Sequence, residues 1–354
     1  MVLVHLVFAN VQFGAFLNSF FGDYSRFAAG GFIFMAGLGV GAIFRPKAQL
    51  PHRRGQIYRR LWGRSFRLIG WQYLVAVAWI GVQFSEGGRD PMTLRQFITG
   101  VLSMREGGDL LPLYVVLIAF SPLILELSFR RMGWYVLAAG SIALFIFGRF
   151  YPYAIAIDPV GKFPPVLWQL IFIAGLAGGA LLPRYDALSL RPKLAIAGAA
   201  WMAFALLFWC EYWKTLNLPA CPISLVFTKT PLTTAEMLRY LSAIIGLISS
   251  TDILWDRIFL SRAVSFAATL GRFSLPVYVV HTFLIEIARL AVSNFSLGPW
   301  QWLIAPITLA LLWLLAAALQ WRTRRTDSAA VDWATWLAGA GVGNQNLPAR
   351  QIGE

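Results

Sequence analysis

Three histidines occur in the 354-residue chain, and two of them, His5 and His281, lie inside apolar runs. Imidazole exchanges a proton near neutral pH, and an ionisable side chain within a membrane span is a functional candidate by default. His5 stands near the start of its run. His281 stands about eight residues into its own, or about 12 Å along a helix. A proton transfer base is the sharper reading of each; a hydrogen bond that fixes one helix against another is the blander one.

A second group is cationic. Arg53, Arg60, Arg64 and Arg67 follow one another at spacings of seven, four and three, which on a helix places them on one face. A row of guanidinium groups suits a polyanion, because each can grip phosphate oxygens in a bidentate fork. Anionic lipid headgroups and the positive-inside rule account for basic segments as well. Tyr151, Tyr153, Phe163 and Trp168 gather around Asp158, and flat rings beside a carboxylate would suit a carbohydrate, although aromatic belts at membrane interfaces give the same pattern. Glu286 and Arg289, like Glu211 and Lys214, are three apart and are expected to pair within one turn. Asp252 is expected to pair or snorkel, and His52, after Pro51, is read as a solvated loop residue. No phosphate-binding glycine loop, zinc spacing or serine nucleophile elbow is present, and no metal is expected.

The elements that must carry these residues are membrane spans. Apolar residues make up 58% of the chain and charged residues 13%, against roughly 25% charged in an ordinary soluble domain. Apolar windows fall near 1–17, 27–44, 68–84, 110–128, 132–150, 164–182, 194–213, 235–255, 275–293 and 300–321. Each approximates the length of about 20 residues that crosses a hydrocarbon core, so the fold class is an all-α polytopic membrane protein with about ten transmembrane helices. Two cysteines cannot staple a disulfide scaffold. The first run lacks the basic flank and small-residue cleavage site of a signal peptide. Gly37, Gly39 and Gly41, and Gly175, Gly178 and Gly179, mark close helix packing.

Charge gives the orientation. The net charge of +14 is distributed by loop, and its pattern speaks for a membrane surface rather than for nucleic acid. Every second connection is basic: 45–67 holds eight Lys and Arg and no acid, Arg130 and Arg131 follow the fourth span, and 183–193, 256–274 and 322–325 hold three basic residues each. The alternate connections contain Asp23, Glu86, Asp90, Glu106, Asp109 and Asp158. Both termini are therefore expected in the cytoplasm. The segment 85–109 is read as an outer loop with a short surface helix over 94–104, and 326–354 as a flexible cytoplasmic tail after a membrane domain over 1–325.

Several stretches together resemble the OpgC-type proteins: FIFMAGLGVGAIFR (Phe32 to Arg45), RSFR (Arg64 to Arg67), LLPLYVVLIAFSPLIL (Leu110 to Leu125), VLWQLIFIAGLAGG (Val166 to Gly179) and LGRFSLPVYVVHTFLI (Leu270 to Ile285). That family lies within the multi-span membrane acyltransferases that acylate surface carbohydrates. The resemblance implies transfer of an acyl group, succinyl in the OpgC type, from a cytoplasmic acyl-CoA donor to a periplasmic or surface glucan at the bacterial inner membrane, with no tightly bound cofactor. It makes His5 the counterpart of the family's catalytic first-span histidine and His281 that of its late-span histidine. Arg64 and Arg67 match the family's paired arginines and, with Arg60 beside them, are the expected donor-binding set; Asp158 and Trp168, from the aromatic cluster above, are the acceptor-side candidates. The family's arginine about three turns before the first histidine has no counterpart, and the first span is short for a crossing. Two alternatives follow, a start further upstream or a member that lacks this arginine; the shortness of the span favours the first, with an inactive chain as one outcome. The competing classes are a transporter using His5, His281 and Glu286 as a proton path, and an inactive relative of the acyltransferases. No inverted repeat or pair of broken helices supports a transporter.

Overall fold

In a computed structural model of the chain, the described residues are Leu6, Val11 and residues 27–85, 110–152, 163–215, 232–254, 269–270, 273–294 and 298–339. His5, Asp158 and the surface helix expected over 94–104 lie outside them. Among the described residues the long elements are all helices: α1 (Ala28–Gly39), a π-helical turn (Val40–Phe44), α2 (Arg45–Ala48), α3 (Pro51–Ser85), α4 (Leu110–Phe129), α5 (Gly133–Phe150), α6 (Pro165–Asp186), α7 (Leu190–Thr215), α8 (Thr234–Leu254), α9 (Ser274–Asn294), a 3₁₀ turn (Gly298–Leu303) and α10 (Ile304–Gly339).

Among the described residues, seven stretches are long and apolar enough to cross a membrane: Ala28–Ala48, Leu110–Phe129, Gly133–Phe150, Pro165–Asp186, Leu190–Glu211, Thr234–Leu254 and Trp300–Thr323. They coincide with seven of the ten apolar runs. Runs 68–84 and 275–293 are helical within α3 and α9, and the first run lies outside the described residues apart from Leu6 and Val11. The outward faces carry large apolar side chains such as Phe66, Tyr135, Phe150 and Leu206. In water such a surface would aggregate; in lipid it is the ordinary solvent-facing side.

The chain divides into two compact units, one of Met1–Phe259 and Thr282–Ile304, the other of Leu260–His281 and Ala305–Glu354. In the first, α1 and α6 meet at the closest range. A Cβ on Gly37 or Gly41 would overlap the carbonyl oxygen of Phe172 or Leu176, and one on Gly175 or Gly179 would overlap that of Phe34 or Leu38. These are two small-xxx-small pairs set face to face. Gly39 has nothing within 4 Å, and Gly178 meets only the Phe34 ring, at 3.5 Å. Of the six glycines expected to mediate close packing, four do so. Around the seam Trp168, Phe172, Ile171, Leu176, Ile33 and Tyr240 are fully buried.

The other pairs are pinned by polar groups. Ser65 donates to the Val115 carbonyl at 2.9 Å and Trp62 Nε1 to that of Ala119 at 3.1 Å, holding α3 antiparallel to α4. Trp201 of α7 donates to Ser250 of α8 at 2.8 Å, and its ring lies over Gly246. Lys193 meets Asp252 at 2.9 Å on the same helix pair. Where such a bond lies within a membrane-crossing stretch, it satisfies a polar group that in lipid would otherwise cost several kcal/mol.

One local expectation changes. His52 is exposed on the first turn of α3 rather than in a loop, because the helix starts at Pro51, whose fixed φ suits an N-terminal position. In the second unit α10 runs on to Gly339, past Arg325, where the composition shifts. Ala329, Ala330, Ala334 and Ala338 are strong helix formers.

Candidate functional site

Helix α3 sorts the basic segment into two faces. Ile57, Leu61, Ser65, Leu68 and Gln72 form the buried stripe, at spacings of four, four, three and four. Arg53, Arg60, Arg64 and Arg67 share the face that flanks this stripe on one side and are exposed. Arg67 Nε donates to the Gly63 carbonyl at 3.2 Å, which holds its guanidinium along the helix. No carboxylate among the described residues pairs with Arg60, Arg64 or Arg67. Their charge is available to an anion.

Arg54 is turned the other way. Its Nη1 lies 3.3 Å from Glu126 Oε1 on α4 and its Nε donates to the Ala48 carbonyl at 3.1 Å. The Tyr58 hydroxyl donates to the same carboxylate at 2.7 Å. Burial and that bond raise the Tyr58 hydroxyl well above its ordinary pKa, so it stays a neutral donor. The guanidiniums of Arg54 and Arg45 lie 5.2 and 5.7 Å from the centre of the Phe129 ring, and Arg45 lies 5.5 Å from that of Trp134. Sequence reading counted Arg45 and Arg54 as loop charge and missed this cluster.

The far end of the α1–α6 pair, about 20 Å along the helices, holds a different chemistry. Trp168 stacks in a tilted contact on Phe163 at 5.0 Å and near Tyr240 at 6.1 Å, while Gly30 of α1 accommodates the Tyr240 ring, whose Cδ2 a Cβ there would meet at 2.9 Å. Trp168 is wholly buried and its Nε1 has no hydrogen-bond acceptor among the described residues. With no exposed ring face, Trp168 packs the core at this end rather than presenting a stacking surface. Beside Tyr240, Arg239 pairs with Glu236 at 2.7 Å and with Glu211 of α7. Arg239 and Glu236 are buried, and Glu211 is partly open. Glu211 thus reaches across to α8. Sequence reading passed over Glu236 and Arg239 because Glu236 sits at the edge of its span; their spacing of three was the available signal.

His281 belongs to the second unit, where it is buried. Its Nδ1 hydrogen-bonds the Tyr278 carbonyl, one turn back on α9, and the Tyr278 ring lies 4.9 Å away. A carbonyl only accepts, so in the neutral imidazole the proton sits on Nδ1 and Nε2 carries the lone pair. That is the tautomer a base needs. Glu286 and Arg289 pair at 2.8 Å within one turn, as their spacing predicts.

The sequence profile described as OpgC protein matches residues 25–324. The chain belongs to the OpgC family. The match takes in Arg45, the arginine face of α3, Trp168, the Glu211–Arg239–Glu236 cluster and His281, and it begins after His5. No curated protein and no solved structure matches the chain. OpgC membership, with helices of membrane-crossing length, fits a multi-pass membrane acyltransferase.

Proposed function

We propose that the chain is a bacterial inner-membrane O-acyltransferase that moves an acyl group, succinyl foremost, from a cytoplasmic acyl-CoA-type donor to a hydroxyl of a periplasmic or surface glucan. The observation that carries this is the OpgC match over 25–324. In this reading the helices make ten crossings with both termini in the cytoplasm, as the alternation of basic loops indicates.

A thioester carbonyl is already activated, so the reaction needs a base for the acceptor hydroxyl and cations for the donor's phosphates. Arg60, Arg64 and Arg67, exposed on one face and without a carboxylate partner among the described residues, are the donor-binding set. His5 is the base, or a transient acyl acceptor, and His281 holds α9 through its bond to the Tyr278 carbonyl, with its Nε2 lone pair as the reserve proton acceptor. The hydroxyl oxygen attacks the thioester carbon as its proton passes to imidazole. The carbon–sulfur bond then breaks, and the imidazolium returns the proton to the departing thiolate. Asp158 and the Trp168 end of the helices serve the acceptor.

The test is a comparison of periplasmic glucans from cells with and without the gene. Mass spectrometry should show alkali-labile succinyl esters that vanish in the deletion and return with the wild-type chain. Identical ester content in the two strains would overturn the proposal.

A further inference from the structure

Arg45 occupies an unusual place. Its guanidinium lies against two aromatic rings, Phe129 at 5.7 Å and Trp134 at 5.5 Å, while its Nε is buried with no acceptor among the described residues. The one acid in the cluster among the described residues, Glu126, is engaged by Arg54 and by the Tyr58 hydroxyl. Phe129 therefore carries a guanidinium partner twice over, and Arg45 keeps a fork of N–H groups for something else. A buried guanidinium hydrogen without an acceptor is costly, so its persistence calls for a ligand.

The backbone supports a built site. Immediately before Arg45 the helix widens into the π turn Val40–Phe44, and Pro46 follows. One extra residue in a turn rotates everything after it about the helix axis, and such insertions recur at functional sites. Here the rotation sets the direction of Arg45. Gly41, packed on the Leu176 carbonyl, anchors the same turn. The aromatic walls come from a tight α4–α5 connection, closed by hydrogen bonds from Arg130 N to the Leu127 carbonyl at 3.1 Å and from Gly133 N to that of Arg130 at 2.9 Å. That connection adds the exposed Arg130 and Arg131. The surroundings are rich in cations, with a planar fork between flat walls, which is the chemistry that recognises a phosphate ester.

We propose that Arg45, between Phe129 and Trp134, is a phosphate-binding site separate from the exposed Arg60, Arg64 and Arg67 face. The phosphate is either the diester of an anionic lipid headgroup or the phosphate of a nucleotide-type thioester donor. The site stands whether or not the chain transfers an acyl group.

Binding of two probes to the purified full chain in neutral detergent tests it: short-chain phosphatidylglycerol for the lipid source and coenzyme A for the soluble one. At least one probe should bind the wild type and lose roughly tenfold or more in affinity in Arg45→Ala, while Arg45→Lys, which keeps a cation against the rings but not the fork, should recover only part of it. Loss confined to the lipid assigns a headgroup site; loss confined to coenzyme A assigns a donor site. Arg45→Lys also serves as the reading variant if Arg45→Ala does not fold. A wild type that binds neither probe, or affinities unchanged in both Arg45 variants, overturns the proposal, and wild-type acyl transfer in that case leaves the enzymatic reading intact.

Discussion

Gly37 of α1 and Gly175 of α6 each stand where the other helix brings a backbone carbonyl: Phe172 O lies against Gly37, and Phe34 O against Gly175. The two positions exchange the same contact, and with Gly41 and Gly179 they make the closest helix seam described. The Arg45 cluster lies at one end of this seam and the Trp168–Tyr240 packing at the other. Its geometry sets where both clusters sit.

Substituting that seam should therefore be felt throughout the first unit. Gly175→Leu must push a helix aside, and over-packing of this kind typically costs about 1 to 3 kcal/mol or more. Gly39→Ala, which meets nothing within 4 Å, should be neutral or stabilising by up to about 1 kcal/mol. Thermal unfolding in detergent distinguishes them; equal midpoints for Gly175→Leu and Gly39→Ala would mean that the seam does not hold the fold.

Orientation can be read with single cysteines in a background lacking Cys210 and Cys221. Tyr151→Cys should react with an impermeant maleimide from outside, while Met132→Cys and Leu188→Cys should react only after permeabilisation. All three native side chains are exposed. Ser128, although it lies beside the same α4–α5 connection as Met132, is a poor reporter because it is buried and bonded to the Leu125 carbonyl. Labelling of Leu188→Cys from outside would reverse the assigned sides.

The Arg239 cluster predicts a strong asymmetry. Arg239→Met leaves Glu236 and Glu211 facing one another without their guanidinium, and breaking a buried pair from one side costs about 3 to 5 kcal/mol. Arg239→Met combined with Glu236→Gln should recover part of the lost abundance, because one buried charge goes with the other. Membrane abundance and thermal midpoint measure this; no recovery in the double variant would show that the two residues are not energetically coupled.

How much of this was legible beforehand depends on distance along the chain. The apolar runs, the paired glycines Gly37/Gly41 and Gly175/Gly179, the arginine face and the Glu286–Arg289 pair all follow from periodicity within one helix, which a sequence displays directly. Glu211 shows the opposite case. Its local neighbour Lys214 was the visible partner, whereas Arg239, 28 residues away, holds it across a helix pair. The grouping of Arg45, Arg54 and Phe129 draws on three elements and on a π turn that has no residue signature. Gly39 failed as a packing residue because helical geometry turns it away from Gly37 and Gly41.

If Arg64 and Arg67 hold donor phosphates, Arg64→Ala or Arg67→Ala should weaken binding of a coenzyme A thioester by about tenfold or more, without a comparable effect on the glucan. Arg67→Lys should rescue only in part. Titration of the purified chain provides the check, and unchanged donor affinity in all three variants would leave these arginines to lipid contact and topology.

The histidines separate by role. Gln keeps a hydrogen bond but cannot act as a base near neutral pH. His281→Gln can still donate to the Tyr278 carbonyl and should keep much of the transfer rate, whereas His5→Gln should lose about 10² to 10⁴ of it, with membrane insertion unchanged. Transfer by His5→Gln at the parental rate would move the base to His281.

Acyl transfer across the membrane is the central claim, and sealed inverted inner-membrane vesicles test it directly. Labelled succinyl-CoA is supplied to the outward-turned cytoplasmic face, and a glucan is trapped in the lumen. The account predicts alkali-labile label bound covalently to the lumenal glucan, dependent on the chain and abolished by His5→Ala. Glucan that stays unlabelled while the wild-type chain is inserted and abundant would contradict it.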